Sequence, residues 1–332
     1  MKKYLTKKEK IINFFNLSFN KKIITIFKLI GIRDIIYYFI YYLLFPLFKN
    51  KSNFIKGLLF DLQKTRHEFV GISNKKEKFI LYSRDQIISK EIYVKGEFDL
   101  HKLKKAIKIL NENDYNIERL FDVGANIGVV CIPAVKQQVV KKSFAIEAEK
   151  NNFKLLKTNI ILNDLEKDIL TYNYALSDSD DKVITMELSK TDSGDHRVRD
   201  LVNFNIHDED KRELVKVKTK KFDTLFNGLD GKKDLIWIDA QAHEPFILEG
   251  SKNAIEKKVP IVIEFWPYGL KRNKSWEKMI SIIKEFKYYV DLSSDENKLE
   301  ITNNEGLGKL LSEWEQEKKN KHSLFTDILL LK

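Results

Sequence analysis

A single cysteine, Cys131, in 332 residues excludes an internal disulfide framework and a cysteine-based zinc site. Histidine is also scarce. The six, at positions 67, 101, 196, 207, 243 and 322, are scattered, and no two have the spacing of a zinc-protease helix. The uncharged run at 35–48 (IIYYFIYYLLFPLF) is 14 residues long and carries Pro46 near its end. A spanning helix needs about 20 apolar residues, so this run is short. Lys49 and Lys51 follow it instead of the small residues of a signal-peptide cleavage site. Repeats and low-complexity linkers are absent, and no Asn/Asp-Pro-Pro-aromatic motif of the kind that grips a flipped base occurs.

What is present is an ordinary globular mix, 43% hydrophobic and 32% charged, with a formal net charge of +11. Most of that charge sits at one end. Residues 1–33 hold nine basic side chains against Glu9 alone, so the rest of the chain is nearly balanced. A uniformly basic body for nucleic acid is therefore not offered, and no nucleic-acid partner is expected. Two readings of the basic and aromatic residues 1–50 stay open: a segment lying on an anionic membrane surface, or a helix packed on the body. The expected location is cytoplasmic, with or without that membrane contact. Residues 1–77 are read as a helical basic extension and 78–332 as the catalytic domain.

Short apolar strands alternating with helical stretches fill the second part. Strands are read at 118–123, 143–148, 169–176, 234–240, 260–266, 287–292 and 326–332, with one or two more within 78–96. Helices are read around 103–110 and at 127–136, 151–162, 245–255, 276–286 and 307–314. This pattern argues for an α/β fold, a mostly parallel sheet covered by helices on both faces.

The exit of the first of these strands is the most informative turn: Asp122-Val123-Gly124-Ala125-Asn126-Ile127-Gly128. Gly124 frees the backbone and lets a ligand approach it. Gly128 allows close helix packing, with free N–H groups at the helix start facing the ligand. A dinucleotide fingerprint needs a second glycine where Asn126 stands, which disfavours a dehydrogenase. Glu147 ends the next strand 25 residues after Asp122, placed to accept hydrogen bonds from both hydroxyls of a ribose. Leu176 and Ser177 end the third, where a nucleoside base would lie against small and apolar side chains. Together these residues specify an adenosine-type ligand.

The motifs DVGANIG, IEAEKNNFKLLKTNI, YALSD, KFDTL, DLIWIDAQAHEPFILEGSKNAI and IVIEFW resemble, in order and approximate spacing, the FkbM family of S-adenosylmethionine-dependent methyltransferases. The resemblance implies a Rossmann-like seven-stranded methyltransferase sheet, an antiparallel last strand, S-adenosyl-L-methionine as cofactor, and methylation of a hydroxyl oxygen on a sugar, glycan or related metabolite. The sequence departs at Ala148, where proline often stands, and at Ala242, where Asp-x-x-Gly-x-Glu has glycine. Asp122, Gly124, Asn126, Gly128, Glu147, Leu176 and Ser177 are then the expected donor-binding residues.

Methyl transfer to a hydroxyl requires alignment of the two reactants and removal of a proton. Asp239 ends the fourth strand, and His243 and Glu244 follow in its loop. His243 is the first choice of base, because a neutral imidazole suits proton acceptance near neutral pH. A rival reading has Asp239, His243 and Glu264 holding a divalent metal; a third leaves His243 and Glu244 as loop anchors. Asp195, His196 and Arg197 in TDSGDHRV, and Trp266 beyond the fifth strand, are candidates to contact the acceptor. Two other function classes remain: a nucleic-acid methyltransferase and a non-catalytic adenosyl-ligand-binding module.

Overall fold

The computed structural model describes residues 39, 53–64, 66–74, 76–199, 211–294, 300–301 and 325–332. The chain divides into two compact units, residues 1–68 and 69–332. In the first, a helix Asn53–Gln63 (α1) buries Ile55, Leu59 and Phe60. The expected membrane-surface segment, the helix read at 307–314 and His207 lie outside the described residues. Among those described, no helix is long and apolar enough to cross a membrane.

The second unit begins with an antiparallel pair, β1 (Phe69–Ser73) and β2 (Lys78–Tyr82). Two helices follow, α2 (Ile88–Lys95) and α3 (Leu100–Asn111). Then β3 (Arg119–Val123), α4 (Cys131–Lys136), β4 (Lys142–Ile146), α5 (Lys150–Leu162) and β5 (Ile169–Tyr172) form a strand–helix alternation. The chain next leaves the main sheet through β6 (Ala175–Leu176), β7 (Val183–Leu188), β8 (Arg197–Val198) and β9 (Glu213–Lys220). A short helix α6 (Phe222–Leu225) leads back to β10 (Asp234–Ile238). Helices α7 (Glu244–Glu249) and α8 (Lys252–Glu256) precede β11 (Ile261–Phe265). Last come α9 (Pro267–Arg272), α10 (Trp276–Ile283), β12 (Tyr288–Asp291), β13 (Glu300–Ile301) and β14 (Thr326–Leu331).

The main sheet runs β13-β12-β14-β11-β10-β3-β4-β5. Its seven longer strands are joined at one edge by the two-residue β13. Strands β5, β4, β3, β10 and β11 are mutually parallel, and β14 runs antiparallel between β11 and β12. This is the mixed α/β methyltransferase-type sheet expected from the sequence. Every residue of β10, β11 and β14 is buried, as in strands covered on both faces. Alternate side chains part to the two faces. Leu235 and Trp237 join the core built with α3, α4 and α5, while Ile236 and Ile238 join the core built with α7, α8 and α10.

Strand order reverses between β3 and β10. The crevice outside the carboxyl ends of strands at such a reversal is where open α/β sheets bind ligands.

Several elements differ from the sequence reading, each for a local reason. Residues 88–95 form a helix rather than a second strand. Asp85 accepts hydrogen bonds from the Ile87 and Ser89 backbone N–H groups, and Ile88 and Ile92 bury one helical face. Gly96, in the left-handed region at φ 89°, ends it. The third strand divides, because the Asn173 side chain donates to the carbonyls of Glu147 and Ala148 and turns the chain out of the main sheet. The helix read at 127–136 begins only at Cys131. The helix read at 245–255 breaks at Gly250, where a Cβ would stand 2.1 Å from the Ser177 carbonyl oxygen. The sheet β6-β9-β7-β8 was not anticipated.

Gly250→Ala therefore destabilises the protein through main-chain overlap, with no change in the sign of φ involved. A loss of about 2 kcal/mol is expected in urea unfolding, the range of an overpacked core. Unchanged stability would show that the Ser177 chain does not pass there.

Candidate active site

The turn after β3 is shaped by its neighbours. Gly124 has φ +86°, and a Cβ there would lie 1.8 Å from the Asp239 carbonyl oxygen. The place a side chain would take is thus occupied by the backbone leaving β10. Gly128, at φ +93°, leaves room for Ile132 and Leu156. The buried Asp122 carboxylate accepts the Cys131 N–H at the start of α4 (3.1 Å), so that group faces the carboxylate and not a ligand. Burial pushes Asp122 up to about 6.

Asn126 sits at φ 51°, a backbone region that asparagine tolerates better than most residues. Its N–H donates to Glu147 Oε2 (2.9 Å), and its side-chain amide donates to the Ser193 carbonyl (2.7 Å). Glu147 Oε1 accepts the Glu149 N–H at 2.7 Å. Both oxygens are oriented by the backbone, yet a carboxylate offers about four acceptor positions, so two remain for a ligand. Burial holds the Glu147 carboxyl up at about 8.

Across the cleft, Asp239 and Glu264 share one amide. Gln241 Nε2 donates to Asp239 Oδ1 at 3.0 Å and to Glu264 Oε2 at 2.9 Å. Burial, with the nearby Asp327 and Asp99 charges, pushes Asp239 up to about 7; burial, with the Asp239, Glu244 and Asp327 charges, pushes Glu264 well above its usual range. Glu244 accepts the Ala240 N–H (2.8 Å) through one oxygen, while the other is buried without a partner; burial pushes it up to about 8. The loop is strained. Gln241 and Ala242 are both left-handed, at φ 53° and 71°. For an alanine this costs about 1–2 kcal/mol. The departure at Ala242 thus keeps a conformation that glycine adopts freely, and Gly269 leaves the space its methyl needs.

His243 Nε2 is 3.1 Å from Ser177 Oγ, and the ring stacks on Phe246. Burial lowers its pKa to about 4. His196 is lowered to about 4 in the same way, and its Nδ1 accepts the Ser189 N–H (3.1 Å).

One cleft, about 880 Å³ counting its open mouth, brings many of these groups together. Gly124, Asn126, Glu147, Leu176, Asp239 and His243 line it, as do Asp122 and His196. Gly128, Ser177 and Glu244 lie outside its lining. So do Asp195, Arg197 and Trp266. The Arg197 guanidinium, 2% exposed, pairs with Asp195 and stands 4.9 Å over the Trp266 ring. Arg212 also pairs with Asp195. Among the described residues no three His, Cys, Asp or Glu side chains are grouped to hold a metal ion.

Phe98, Asp99, Asn152 and Tyr174 line the cleft without having been singled out. Asp99 is held by Lys102 (2.8 Å), which also pairs with Asp327 on the last strand (2.6 Å). Both stand before β3 in the chain, where no motif draws attention to them.

Residues 122–290, just over half of the chain, match the family model described as the methyltransferase FkbM domain. The chain belongs to the FkbM methyltransferase family. The matched FkbM segment opens at Asp122 and contains Glu147, Asp239 and His243, but not the residues around Asp99. The hexuronic acid methyltransferase AglP of Haloferax volcanii is 26% identical over 167 residues, covering 50% of this chain and 63% of that protein. The chain thus spans less than two thirds of that relative. Among solved structures, the methyltransferase FkbM of Methylobacillus flagellatus KT aligns at 13% identity over 64% of this chain and 43% of that one, with a TM-score of 0.36. M. jannaschii TYW2 in complex with AdoMet aligns at 9% identity over 80% and 86%, with a TM-score of 0.38.

The raised carboxyls give a signed pH dependence. Between about pH 4 and 8 the folded chain holds protons on Glu147, Asp239 and Glu244 that the unfolded chain releases, so their contribution to stability falls as pH rises. His243 and His196 act oppositely, but only between about 4 and 6.5, where the unfolded chain takes up more protons. Above 6.5 the carboxyls act alone. The melting temperature of the ligand-free protein is expected to fall from pH 6.5 to 8; a rise over that interval would contradict the buried-acid description.

Proposed function

We propose that this FkbM-family protein transfers the methyl group of S-adenosyl-L-methionine to a hydroxyl oxygen of a sugar or glycan. The observation that carries the reading is the meeting of Glu147 and Asp239, from strands on either side of β3, in one cleft at the reversal of strand order. The residues present fit the donor. Glu147 retains acceptor positions for ribose hydroxyls, and Ala175, Leu176 and Ile247 give an apolar wall. Buried carboxyls held above their usual pKa favour a cationic ligand, which a sulfonium is. When bound, S-adenosyl-L-methionine supplies an electrophilic methyl group.

The protein's own work is then to hold the donor through Glu147, exclude water, and accept the hydroxyl proton. For the last role Asp239 is better matched than His243. A carboxylate with a pKa of about 7 is half ionised at neutral pH and keeps the proton it gains, whereas an imidazole at about 4 holds one poorly. His243, bonded to Ser177, is read as orienting the cleft wall. The relative's name, a hexuronic acid methyltransferase, supports a sugar acceptor.

Glu147→Ala is expected to weaken S-adenosyl-L-methionine binding by about ten- to a hundredfold in calorimetry, the effect of leaving ribose hydroxyls without a buried hydrogen-bond partner. Unaltered affinity would remove Glu147 from the donor site. Asp239→Asn should lower kcat about a hundredfold or more with donor affinity held within a few-fold, and His243→Ala should do less. The reverse order of losses would return the base to His243.

A further inference from the structure

Beside the cleft lies a second depression of about 1,030 Å³, counting its open mouth, formed by the start of α5 and one edge of β9. Ala148 and Tyr174 belong to the walls of both, so the two adjoin. Strand β9 pairs with β7 over 213–218 but with β6 only at Thr219 and Lys220. Among the described residues the opposite edge of 215–218 is therefore not covered by a strand, and 215–218 line the groove.

Lys150, Lys216 and Lys218 line the groove and are exposed, and none pairs with a carboxylate among the described residues. Lys216 bonds only the uncharged Thr185 hydroxyl (2.6 Å). Two neighbouring lysines are paired: Lys220 with Asp181 at 3.0 Å and Lys182 with Asp178 at 3.8 Å. Glu149, the acid in the groove, is buried and spends its carboxylate on the Asn151 and Asn152 N–H groups as the cap of α5. Three lysines against one carboxylate leave this concavity with a net positive charge, which attracts an anion.

We propose that this groove is the acceptor subsite and that it takes an anionic saccharide, whose acid group is held by Lys150, Lys216 and Lys218 while a hydroxyl reaches the cleft past Ala148 and Tyr174. The assignment rests on the methyltransferase reading above and adds the charge of the acceptor and the place where it is read. A long nucleic acid fits less well, because the basic residues form a local cluster on a body that is otherwise nearly neutral.

The test uses the full chain at low salt and three probes: trigalacturonate, its neutral methyl ester, and a short single-stranded RNA. Trigalacturonate is expected to bind about tenfold or more tightly than the ester, with affinity falling as salt rises. Replacing Lys150, Lys216 and Lys218 together by glutamine should abolish that preference while S-adenosyl-L-methionine affinity and melting temperature hold. Lys157→Gln, at an exposed site on α5, should change nothing. Equal binding of acid and ester, or an acid preference that survives the triple substitution, overturns the subsite. RNA bound more tightly than trigalacturonate through the same lysines would make the groove a nucleic-acid site instead. S-adenosyl-L-methionine titrated into the unmodified protein separates the two readings. If the donor fails to bind, the methyltransferase reading falls, while the preference for acid over ester is still read directly in the groove.

Discussion

The close passage of the Asp239 carbonyl over Gly124 is the contact on which the cleft depends. It brings the exits of β3 and β10 so near that no side chain fits between them, and it thereby fixes where Asp239 stands relative to Glu147. The same economy of space recurs where the Ser177 carbonyl meets Gly250 and where Trp266 and Ala242 meet Gly269. Each is a place where a loop at the carboxyl edge of the sheet touches another loop, main chain against main chain or ring. The loops of the site are packed as closely as a core.

Electrostatics divides the edge into two regions. Inside the cleft, buried acids outnumber buried bases, and Lys102 alone bridges Asp99 to Asp327. The raised pKa values of Asp122, Glu147 and Asp239 express the work of holding negative charge away from water. Outside it, Lys150, Lys216 and Lys218 line the neighbouring groove and none pairs with a carboxylate among the described residues. Carboxyls thus crowd the cleft, while lysines line the groove beside it.

Much of this was legible in the chain. The parallel strands announced themselves as short apolar runs because both faces are buried, and the glycine turn, Glu147 and Asp239 each mark a strand end. Other parts were hidden for physical reasons. In α2 the apolar Ile88 and Ile92 sit among Tyr93 and Val94, so β-prone residues obscured a helix whose start is fixed by a side chain, Asp85. Strand β9 carries lysines and valines in alternation but is only half buried, so its pattern lacked the weight of a core strand. Arg197 looked available to a ligand, yet its partner lies two residues away and a tryptophan from beyond β11 covers it.

The amino-acid sequence by itself determined the order of elements, the family, and which strand ends carry carboxylates, because periodicity, glycine placement and spacing are local properties. Only the tertiary structure decided which of those groups share a cavity, which are consumed by the protein itself, and how far burial moves their protons. Those depend on distances between segments remote in the chain and on the exclusion of water, neither of which is written at any single position.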